Sequence, residues 1–399
     1  MILIELLFWT CLFILFYNYL GYGILLVGLV KLKRLFGKKT PPVEASFEPE
    51  VTLVIAAYNE EAFIEEKIRN SLALDYPENK LKIAIIADGS SDRTPELVKK
   101  YEQVQLLYQP ERRGKTAALN RAMHWVDTPV VVFNDANTYL NNQAIRNIVR
   151  HFANPEVGGV AGEKKIMLSE SEKAAGAGEG MYWKYESFLK KMDSELYSVV
   201  GAAGELFAIR SELYEEVEED TILDDFIISL RTCAKGYTVK YEPEAYAQED
   251  PSDSIKEEQK RKVRISAGGF QSIVRLAGLL NIFKTPLLSF QYISHRVLRW
   301  TLSPLSLLLV LVTNLLLLNQ HWIYLVTLAG QLAFHSTASI GWVLANRNIK
   351  INALYIPYYF LFMNISVYQG FFRYLKGQQS AVWEKANRKS SQVGSQMAG

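Results

Sequence analysis

Hydrophobic and polar positions divide the chain into three parts, a charged middle of roughly residues 33–270 and two apolar ends. Residues 2–31 are predominantly apolar and long enough to cross the roughly 30 Å hydrocarbon core of a bilayer as a helix. The basic residues follow this stretch instead of preceding it, which predicts a transmembrane helix and not a secretory signal. Because cytosolic flanks of membrane helices are basic, segment 31–39 places the charged middle in the cytosol.

The charged middle alternates short apolar runs with amphipathic stretches. Strand-like runs lie at 51–58, 82–88, 104–109 and 129–136, and helical patterns lie near 60–74, 94–104 and 115–126. Continuous apolar strands separated by helices predict an α/β fold with a parallel sheet covered on both faces. Ligands of such sheets bind beyond the carboxyl ends of the strands, where polar motifs follow three of these runs. We therefore expect one binding site at that edge.

The chain becomes apolar again after residue 298. Candidate spans lie near 300–319, 322–344 and 352–372, and residues 270–296 have the amphipathic pattern of interfacial helices. The third span would send the basic residues after it outside, so it is either re-entrant or an exception to the charge rule. The pattern predicts a multi-pass protein of the inner or plasma membrane with a cytosolic catalytic domain. Its expected parts are a membrane helix, a cytosolic domain, interfacial helices, a membrane region of about three spans and a polar tail, at residues 1–32, 33–270, 271–298, 299–375 and 376–399.

Composition agrees with membrane segments and argues against two other classes of protein. The hydrophobic share of 49% is high for an ordinary soluble protein. The formal net charge is only +2, so no global field indicates binding of DNA or RNA. Cys11 lies in an apolar end and Cys233 in the charged middle, so they are poorly placed to pair and have no metal-site spacing.

Two acidic motifs end predicted strands. Asp88 opens the turn sequence DGSSDRT, where its carboxylate can accept a hydrogen bond from a nucleobase N–H group; a strand-ending Asx turn explains it equally well. Asp135 and Asn137, in FNDAN, offer the oxygen ligands that Mg²⁺ and Mn²⁺ prefer. A plain turn is again the alternative.

Three further motifs have two interpretations each. The sequence Arg113-Gly114-Lys115 brings a cation to a diphosphate or is a solvated charge run. The sequence GAAGELFAIR at 201–210 has two interpretations: it lines a sugar pocket, or it forms a β-turn. The basic run at 259–264 clamps a pyrophosphate or faces anionic lipid head groups.

Asp224 and Asp225 are adjacent acids that precede a helical pattern. Both can cap that helix, since its N-terminus attracts negative charge. Alternatively, one of them points into the cleft. A carboxylate in a cleft can deprotonate a bound hydroxyl group, so this pair is also the candidate general base.

Taken in order, AAYNEE, DGSSDRT, RGKTAALN, FNDANT, GELFAIR, DDFIISLR and RKVRI resemble the motifs of membrane-bound family 2 glycosyltransferases, which include cellulose, chitin and hyaluronan synthases and bacterial exopolysaccharide enzymes. The resemblance covers roughly residues 50–300. It implies a GT-A, Rossmann-like fold and inverting transfer of a hexose, glucose or N-acetylglucosamine, from a UDP-sugar to an exopolysaccharide or another membrane-associated glycan. The alternative is single-sugar transfer to a polyprenyl phosphate or a glycolipid.

The resemblance also implies roles for individual residues. The expected donor-binding residues are Ala57, Tyr58, Glu60, Asp88, Lys115, Asp135, Arg261 and Arg264. The expected acceptor or sugar-pocket residues are Gly204, Glu205 and Asp224. Asp135 and Asn137 would hold Mg²⁺ or Mn²⁺, and Asp225 would be the general base.

Two departures from the family pattern affect these expectations. Asn137 stands where the metal motif usually has a second acid, so metal binding depends more on Asp135 and the phosphates. The product-binding motif reads Arg261 to Ile265 and lacks the usual Gln and Trp, which puts long-chain synthesis in doubt because the Trp would stack under the acceptor sugar. Expected partners are membrane lipids and export or assembly subunits, with no nucleic acid. A non-catalytic nucleotide-sugar sensor is the alternative from another class, and UDP binding without turnover would identify it.

Overall fold

The computed structural model describes residues 1–36, 47–166, 177–249, 254–347, 349 and 351–377, and for 177–182 only the backbone. The predicted polar tail therefore lies outside the described residues after residue 377. The described residues form two compact units. We call the first the helical unit (within Met1–Gly37, Leu168–Met192 and Glu258–Gln378) and the second the sheet unit (within Lys38–Met167 and Asp193–Glu257).

Strands and helices follow one another in this order. The strands are β1 (Val51–Ala57), β2 (Leu81–Asp88), β3 (Val104–Gln109), β4 (Val130–Asp135), β5 (Thr138–Leu140), β6 (Val157–Ile166), β7 (Leu206–Arg210) and β8 (Thr238–Glu249). The helices are α1 (Ile2–Phe16), α2 (Tyr22–Phe36), α3 (Ile64–Leu72), α4 (Thr94–Val98), α5 (Lys115–Met123), α6 (Ala144–Val149), α7 (Ala177–Leu196), α8 (Asp224–Ala234), α9 (Ile255–Arg275), α10 (Pro286–Tyr292), α11 (Leu298–Trp300), α12 (Leu302–Leu317), α13 (Trp322–Ala345) and α14 (Asn352–Leu375).

In the sheet unit, the strands form one mixed sheet with the order β3-β2-β1-β4-β7-β6-β8-β5. Strands β1 to β4 are parallel, as predicted, and Ala57 pairs with Ala87 while Ala56 pairs with Asp135. Beyond the four predicted strands the sheet is mixed, since β7 is antiparallel to both β4 and β6. The reason lies in the register: Leu206, the first residue of β7, pairs with Asn134, so β7 starts at the edge where β4 ends and must run back.

The core of the sheet unit explains the continuous apolar runs of the sequence. Val51, Leu53 and Ile55 of β1 are fully buried, and so is Val54, whose side chain points to the opposite face. A strand covered on both faces needs apolar residues at every position, which is what the run VTLVIAA provides.

In the helical unit, α1 and α2 are joined by a π-helical turn, Tyr17–Gly21, into a helix of 35 residues that is long and apolar enough to cross a membrane. A second candidate arises only if Pro286–Trp300 and Leu302–Leu317, which meet at a 51° bend, count as one span. Helices α13 and α14 occupy the positions of two predicted spans but are less apolar than a membrane-crossing helix. Polar residues such as Gln331 and Asn364 interrupt them. Within the described residues, the predicted multi-pass topology is therefore not supported.

Buried polar contacts hold parts of the helical unit together. Glu186 is buried, and its carboxylate accepts a hydrogen bond from the guanidinium group of Arg299, at 2.9 Å, and forms an ion pair with that of Arg296, at 2.6 Å. The hydroxyl groups of Tyr17 and Ser294 lie 2.8 Å apart and join two π-helical turns. Such pairing offsets the cost of burying polar groups among apolar helices.

Candidate active site

The loops that follow β1 and β2 interlock at the carboxyl edge of the sheet. The backbone N–H of Asn59 donates to Ser90 Oγ at 3.1 Å, and the side-chain oxygen of Asn59 accepts from the N–H of Ser91 at 2.8 Å. The N–H of Glu60 donates to Thr94 Oγ1 at 2.8 Å. Asn59 has a φ of +54°, a left-handed conformation that asparagine tolerates better than most residues. The motifs AAYNEE and DGSSDRT thus meet at one edge, as predicted.

Asp88 at the end of β2 is buried, with 5% of its surface exposed. Its Oδ2 accepts hydrogen bonds from the backbone N–H groups of Arg113, at 3.0 Å, and Gly114, at 2.7 Å. Among the residues that the structure describes, none hydrogen-bonds to its Oδ1, although Arg121 Nη1 lies 3.6 Å away. A buried carboxylate oxygen without a hydrogen bond is costly, so Oδ1 is an acceptor available to a ligand.

Tyr58 lies one residue beyond β1, next to the last residue of that strand, Ala57. The guanidinium carbon of Arg112 lies 3.6 Å from the centre of the Tyr58 ring, a cation–π stack. Gly89 has a φ of +65°, and a Cβ there would lie 2.6 Å from the Arg112 Cα. Glycine is therefore required where the chain around Arg112 approaches the end of β2.

Lys115, the first residue of α5, brings three acids of the predicted site together. Its Nζ lies 2.6 Å from Asp135 Oδ1 and 3.9 Å from Asp224 Oδ2. A Cβ on Gly204 would lie 3.1 Å from that Nζ and 3.5 Å from Asp225 Oδ2. Burial by itself would lower the pKa of Lys115, but the carboxylates of Asp135, Asp224 and Asp225 raise it above its usual value. Lys115 is therefore a cation in the centre of this cluster.

Asp224 and Asp225 form the first turn of α8, where the expected acidic residues meet the helix N-terminus. Burial, reinforced by the negative charge of Asp224, raises the pKa of Asp225 to about 7, and Lys115 opposes this shift. A carboxylate with a pKa close to neutral is a stronger base than an ordinary aspartate at physiological pH. Asp225 thus has the property that a general base requires.

The pKa of Asp225 predicts an acid limb in the pH profile of transfer. Only the deprotonated form can accept a proton, so activity should be full above the pKa and fall as the pH drops through it. We expect kcat/KM to decline below about pH 7 and to approach a tenfold loss per pH unit. Steady-state rates measured from pH 5 to 9 check this, and a rate that stays flat down to about pH 5 would contradict it.

Asp135 and Asn137 flank the turn after β4 and fit a divalent cation in the type of atom they offer. Burial raises the pKa of Asp135 and the charge of Lys115 opposes that shift. Among the residues that the structure describes, no three His, Cys, Asp or Glu side chains are grouped so as to hold a metal by themselves. A cation at Asp135 would therefore take further ligands from the amide oxygen of Asn137 and from a bound diphosphate.

Arg261 and Arg264 lie on α9 in the helical unit, whereas the other predicted site residues lie in the sheet unit. Arg261 Nε is 3.8 Å from Glu258, and Lys262 of the same helix is 3.3 Å from Glu258 and 5.2 Å from the Trp183 ring. The expected contact of both arginines with the donor stays a prediction.

The remaining predicted pocket residue, Glu205, lies beside Gly204 and accepts a hydrogen bond from Lys164 Nζ. Sequence reasoning missed Arg112 and Lys67, and it placed Asn134 at this edge without a role of its own. The signal for Lys67 is its position, because it shares the buried face of α3 with Ile64 and Ile68. A lysine on the apolar face of an amphipathic helix indicates a buried polar contact.

Comparison with known proteins agrees with this geometry. Residues 52–218 match the family described as Glycosyl transferase family 2. A stretch of 247 residues, 59% of this chain, is 29% identical to the poly-beta-1,6-N-acetyl-D-glucosamine synthase of Staphylococcus aureus (strain COL) and covers 58% of that protein. The protein of the same name from Staphylococcus epidermidis is 27% identical over 235 residues, 56% of each chain. The chain thus spans somewhat more than half the length of these curated relatives.

Among solved structures, the mannosyltransferase PcManGT from Pyrobaculum calidifontis, in complex with GDP-Man and Mn²⁺, aligns with a TM-score of 0.71 and 21% identity. The alignment covers 93% of this chain and 99% of that one, and at this identity it concerns the fold. The fold therefore agrees with the one that the motif resemblance implies. Residues 52–218 therefore match the family 2 glycosyltransferase model, and the chain shares the GT-A type of fold with the solved mannosyltransferase.

Proposed function

We propose that this protein is a family 2 glycosyltransferase that transfers a hexose, N-acetylglucosamine or glucose, from UDP to a membrane-associated glycan with inversion of configuration. Asp225 would be the general base. The observation that carries this proposal is the arrangement around Lys115, where Asp135 and the pair Asp224-Asp225 meet beside Gly204. It provides a cation, a metal-binding acid and a base in one cluster.

The hydrogen bonding of Asp88 favours uracil as the base of the donor. Since Oδ2 already accepts from two backbone N–H groups, only Oδ1 remains available. One acceptor matches the single ring N–H of uracil, whereas guanine offers an N–H and an adjacent amino group that pair best with both oxygens of a carboxylate. Tyr58, with Arg112 stacked on it, supplies an aromatic surface beside this acceptor.

The diphosphate would bind at the carboxyl edge of the sheet, on the side of the site away from Asp88 and Tyr58. Lys115 carries the positive charge that the leaving UDP needs, and Asp135 with Asn137 would hold Mg²⁺ or Mn²⁺. When bound, the metal would neutralise negative charge that develops on the diphosphate. Arg264 of α9 is proposed as a further phosphate ligand, as the family motif implies.

The chemical step requires a base and room for the acceptor. Asp225 would take the proton of the acceptor hydroxyl while that oxygen attacks the anomeric carbon and the bond to UDP breaks. Gly204 carries no side chain where a Cβ would approach both Asp225 and Lys115, which leaves space for the reacting sugars. We propose that Gly204, Glu205 and Asp224 line this space, with Ala57 and Glu60 on the nucleoside side.

The acceptor is proposed from the relatives and from the apolar N-terminal helix. The Staphylococcus proteins are named poly-beta-1,6-N-acetyl-D-glucosamine synthases, which supports N-acetylglucosamine as the sugar and a growing glycan as the acceptor. Helix Ile2–Phe36 would anchor the enzyme in the cell membrane, with the sheet unit in the cytosol. Membrane lipids and export or assembly subunits would then be its partners.

A donor panel tests the proposal. Full-length enzyme in membranes is incubated with UDP-N-acetylglucosamine, UDP-glucose or GDP-mannose, and products are sized by mass spectrometry. We expect transfer from a UDP-sugar, loss of transfer with a chelator and recovery with Mn²⁺. Transfer from GDP-mannose alone would refute the assignment of Asp88 to uracil.

The same products separate polymer synthesis from the second candidate, addition of one sugar to a polyprenyl phosphate or a glycolipid. Ile265 stands where a Trp would support the acceptor sugar, which favours short products. A ladder of lengths identifies a polymerase, and a single mass increment on lipid identifies the second candidate.

A further inference from the structure

Lys67 is a fully buried lysine that the proposed reaction does not use. It lies on the buried face of α3 together with Ile64, Ile68 and Ser71. Burial lowers the pKa of Lys67 to about 7, and the nearby charge of Asp135 partly opposes this shift. Burying an amine is costly unless its hydrogen bonds are made, so its contacts indicate what it does.

The Lys67 amine donates two hydrogen bonds, both to the turn that carries Asp135. One goes to Asn134 Oδ1 and the other to the carbonyl oxygen of Thr138, at 2.7 Å. Both acceptors are neutral oxygens, one residue before and three residues after Asp135. The lysine therefore holds the two ends of this turn and leaves the carboxylate of Asp135 to Lys115.

Asn134 extends the contact to the other side of the site. Its Nδ2 donates to Thr138 Oγ1, at 2.9 Å, and to the carbonyl oxygen of Glu205. Thr138 Oγ1 in turn donates to the carbonyl oxygen of Asp135, at 3.0 Å. One buried amide thus connects the turn that carries Asp135 with the loop that carries Gly204.

We propose that Lys67 is a positioning residue that acts through Asn134 to hold the turn of residues 134–138 against the loop at Gly204. The turn carries the metal-binding and phosphate-facing Asp135, and the loop lies beside the base Asp225. The contact therefore sets the spacing between the donor diphosphate and the base. This inference rests on the proposed function, because it assumes that Asp135 acts on the donor.

Packing of the side chain against the apolar helix face does not by itself explain a lysine at position 67. Methionine has a similar length and fits an apolar helix face without burying an amine. The two hydrogen bonds to the turn are what methionine cannot replace. Substitution of residues that orient metal ligands typically lowers metal affinity or activity about 10- to 100-fold, which gives the scale of the expected effect.

The experiment is a double-mutant cycle on the full-length enzyme with Lys67→Met and Asn134→Leu. Mn²⁺ binding in the presence of UDP is followed by electron paramagnetic resonance, alongside kcat and the thermal unfolding midpoint. We expect Lys67→Met to weaken UDP-dependent Mn²⁺ binding and to lower kcat, each about tenfold or more. The double variant should be little worse than Asn134→Leu alone, because Lys67 acts through Asn134.

Lys82→Met is the matched control, since Lys82 is an exposed lysine that pairs with Asp127 at 2.7 Å. If Lys67→Met unfolds, Thr138→Val removes the two hydrogen bonds that Thr138 Oγ1 makes in the same turn, with Asn134 Nδ2 and with the carbonyl oxygen of Asp135, and should also lower Mn²⁺ affinity. Wild-type Mn²⁺ affinity in Lys67→Met or Thr138→Val, or additive effects in the cycle, would overturn the proposal. A wild-type enzyme without UDP-dependent Mn²⁺ binding would instead contradict the proposed function, and with it the premise for Lys67.

Discussion

Replacement of Asp225 by asparagine is expected to lower the rate of sugar transfer about 10²- to 10⁴-fold, the usual contribution of a general base. Asparagine keeps the shape of the side chain and a polar start to α8, but its amide cannot accept a proton at neutral pH. UDP binding should remain close to wild type, because Asp88 and Tyr58 contact the nucleoside far from this step in our proposal. The loss should therefore appear in kcat and not in donor affinity.

The measurement pairs kcat from initial rates with the Kd of UDP from calorimetry. Asp220→Asn is the matched control, since Asp220 is an exposed acid in the loop before α8 and should retain full activity. The acid limb of the pH profile provides a second readout, because the residual activity of Asp225→Asn should no longer follow the pKa near 7. Transfer at more than a tenth of the wild-type rate would rule out Asp225 as the base.

Replacement of Asp88 by asparagine is expected to weaken UDP binding about 10- to 100-fold, which corresponds to the loss of a hydrogen bond to a charged group. Aspartate offers two acceptors here, one for the N–H groups of Arg113 and Gly114 and one for the base. Asparagine offers only one oxygen, so its amide nitrogen must face either the backbone donors or the uracil N–H. Either orientation leaves a donor unpaired.

Calorimetry with UDP and with uridine separates loss at the base from loss at the phosphates, and both ligands should lose affinity equally. Asp127→Asn serves as the control, because this exposed acid lies just before β4 and pairs with Lys82 near the start of β2, away from Asp88 at the end of β2. Unchanged affinity for uridine in Asp88→Asn would show that the base binds elsewhere.

The sequence predicted those parts of the fold in which local pattern and environment agree. The runs that became β1, β2 and β4 are apolar because these strands are central and well covered, whereas β3 is a partly exposed edge strand; all four lie where the pattern placed them. The direction of β7 was not predictable, because the apolar run LFAIR fits a buried strand equally well in a parallel and in an antiparallel pairing. The pattern near 94–104 predicted a longer helix than α4, Thr94–Val98.

The candidate site divides in the same way. Residues that end a strand, such as Asp88 and Asp135, were found because chain position fixes them at the ligand-binding edge. Contacts between distant segments, such as Arg112 on Tyr58 or Asn134 on Glu205, leave no trace in spacing. Lys67 is visible in the sequence only as a charged residue on the otherwise apolar face of its helix. Hydrophobic periodicity alone does not distinguish such a residue from an ordinary irregularity of the pattern.

The reversal of β7 separates the catalytic edge into two parts with different origins in the chain. Asp88, Lys115 and Asp135 come from consecutive strand and helix units, whereas Gly204 and Asp225 come from segments that return to the same edge after some seventy residues or more. Under the proposed function, substitutions or insertions in the returning segments would therefore change the acceptor side while the nucleotide side keeps its hydrogen bonds. We expect related enzymes that use different acceptors to differ chiefly in the segment that corresponds to residues 198–223 and to keep the donor-binding residues unchanged.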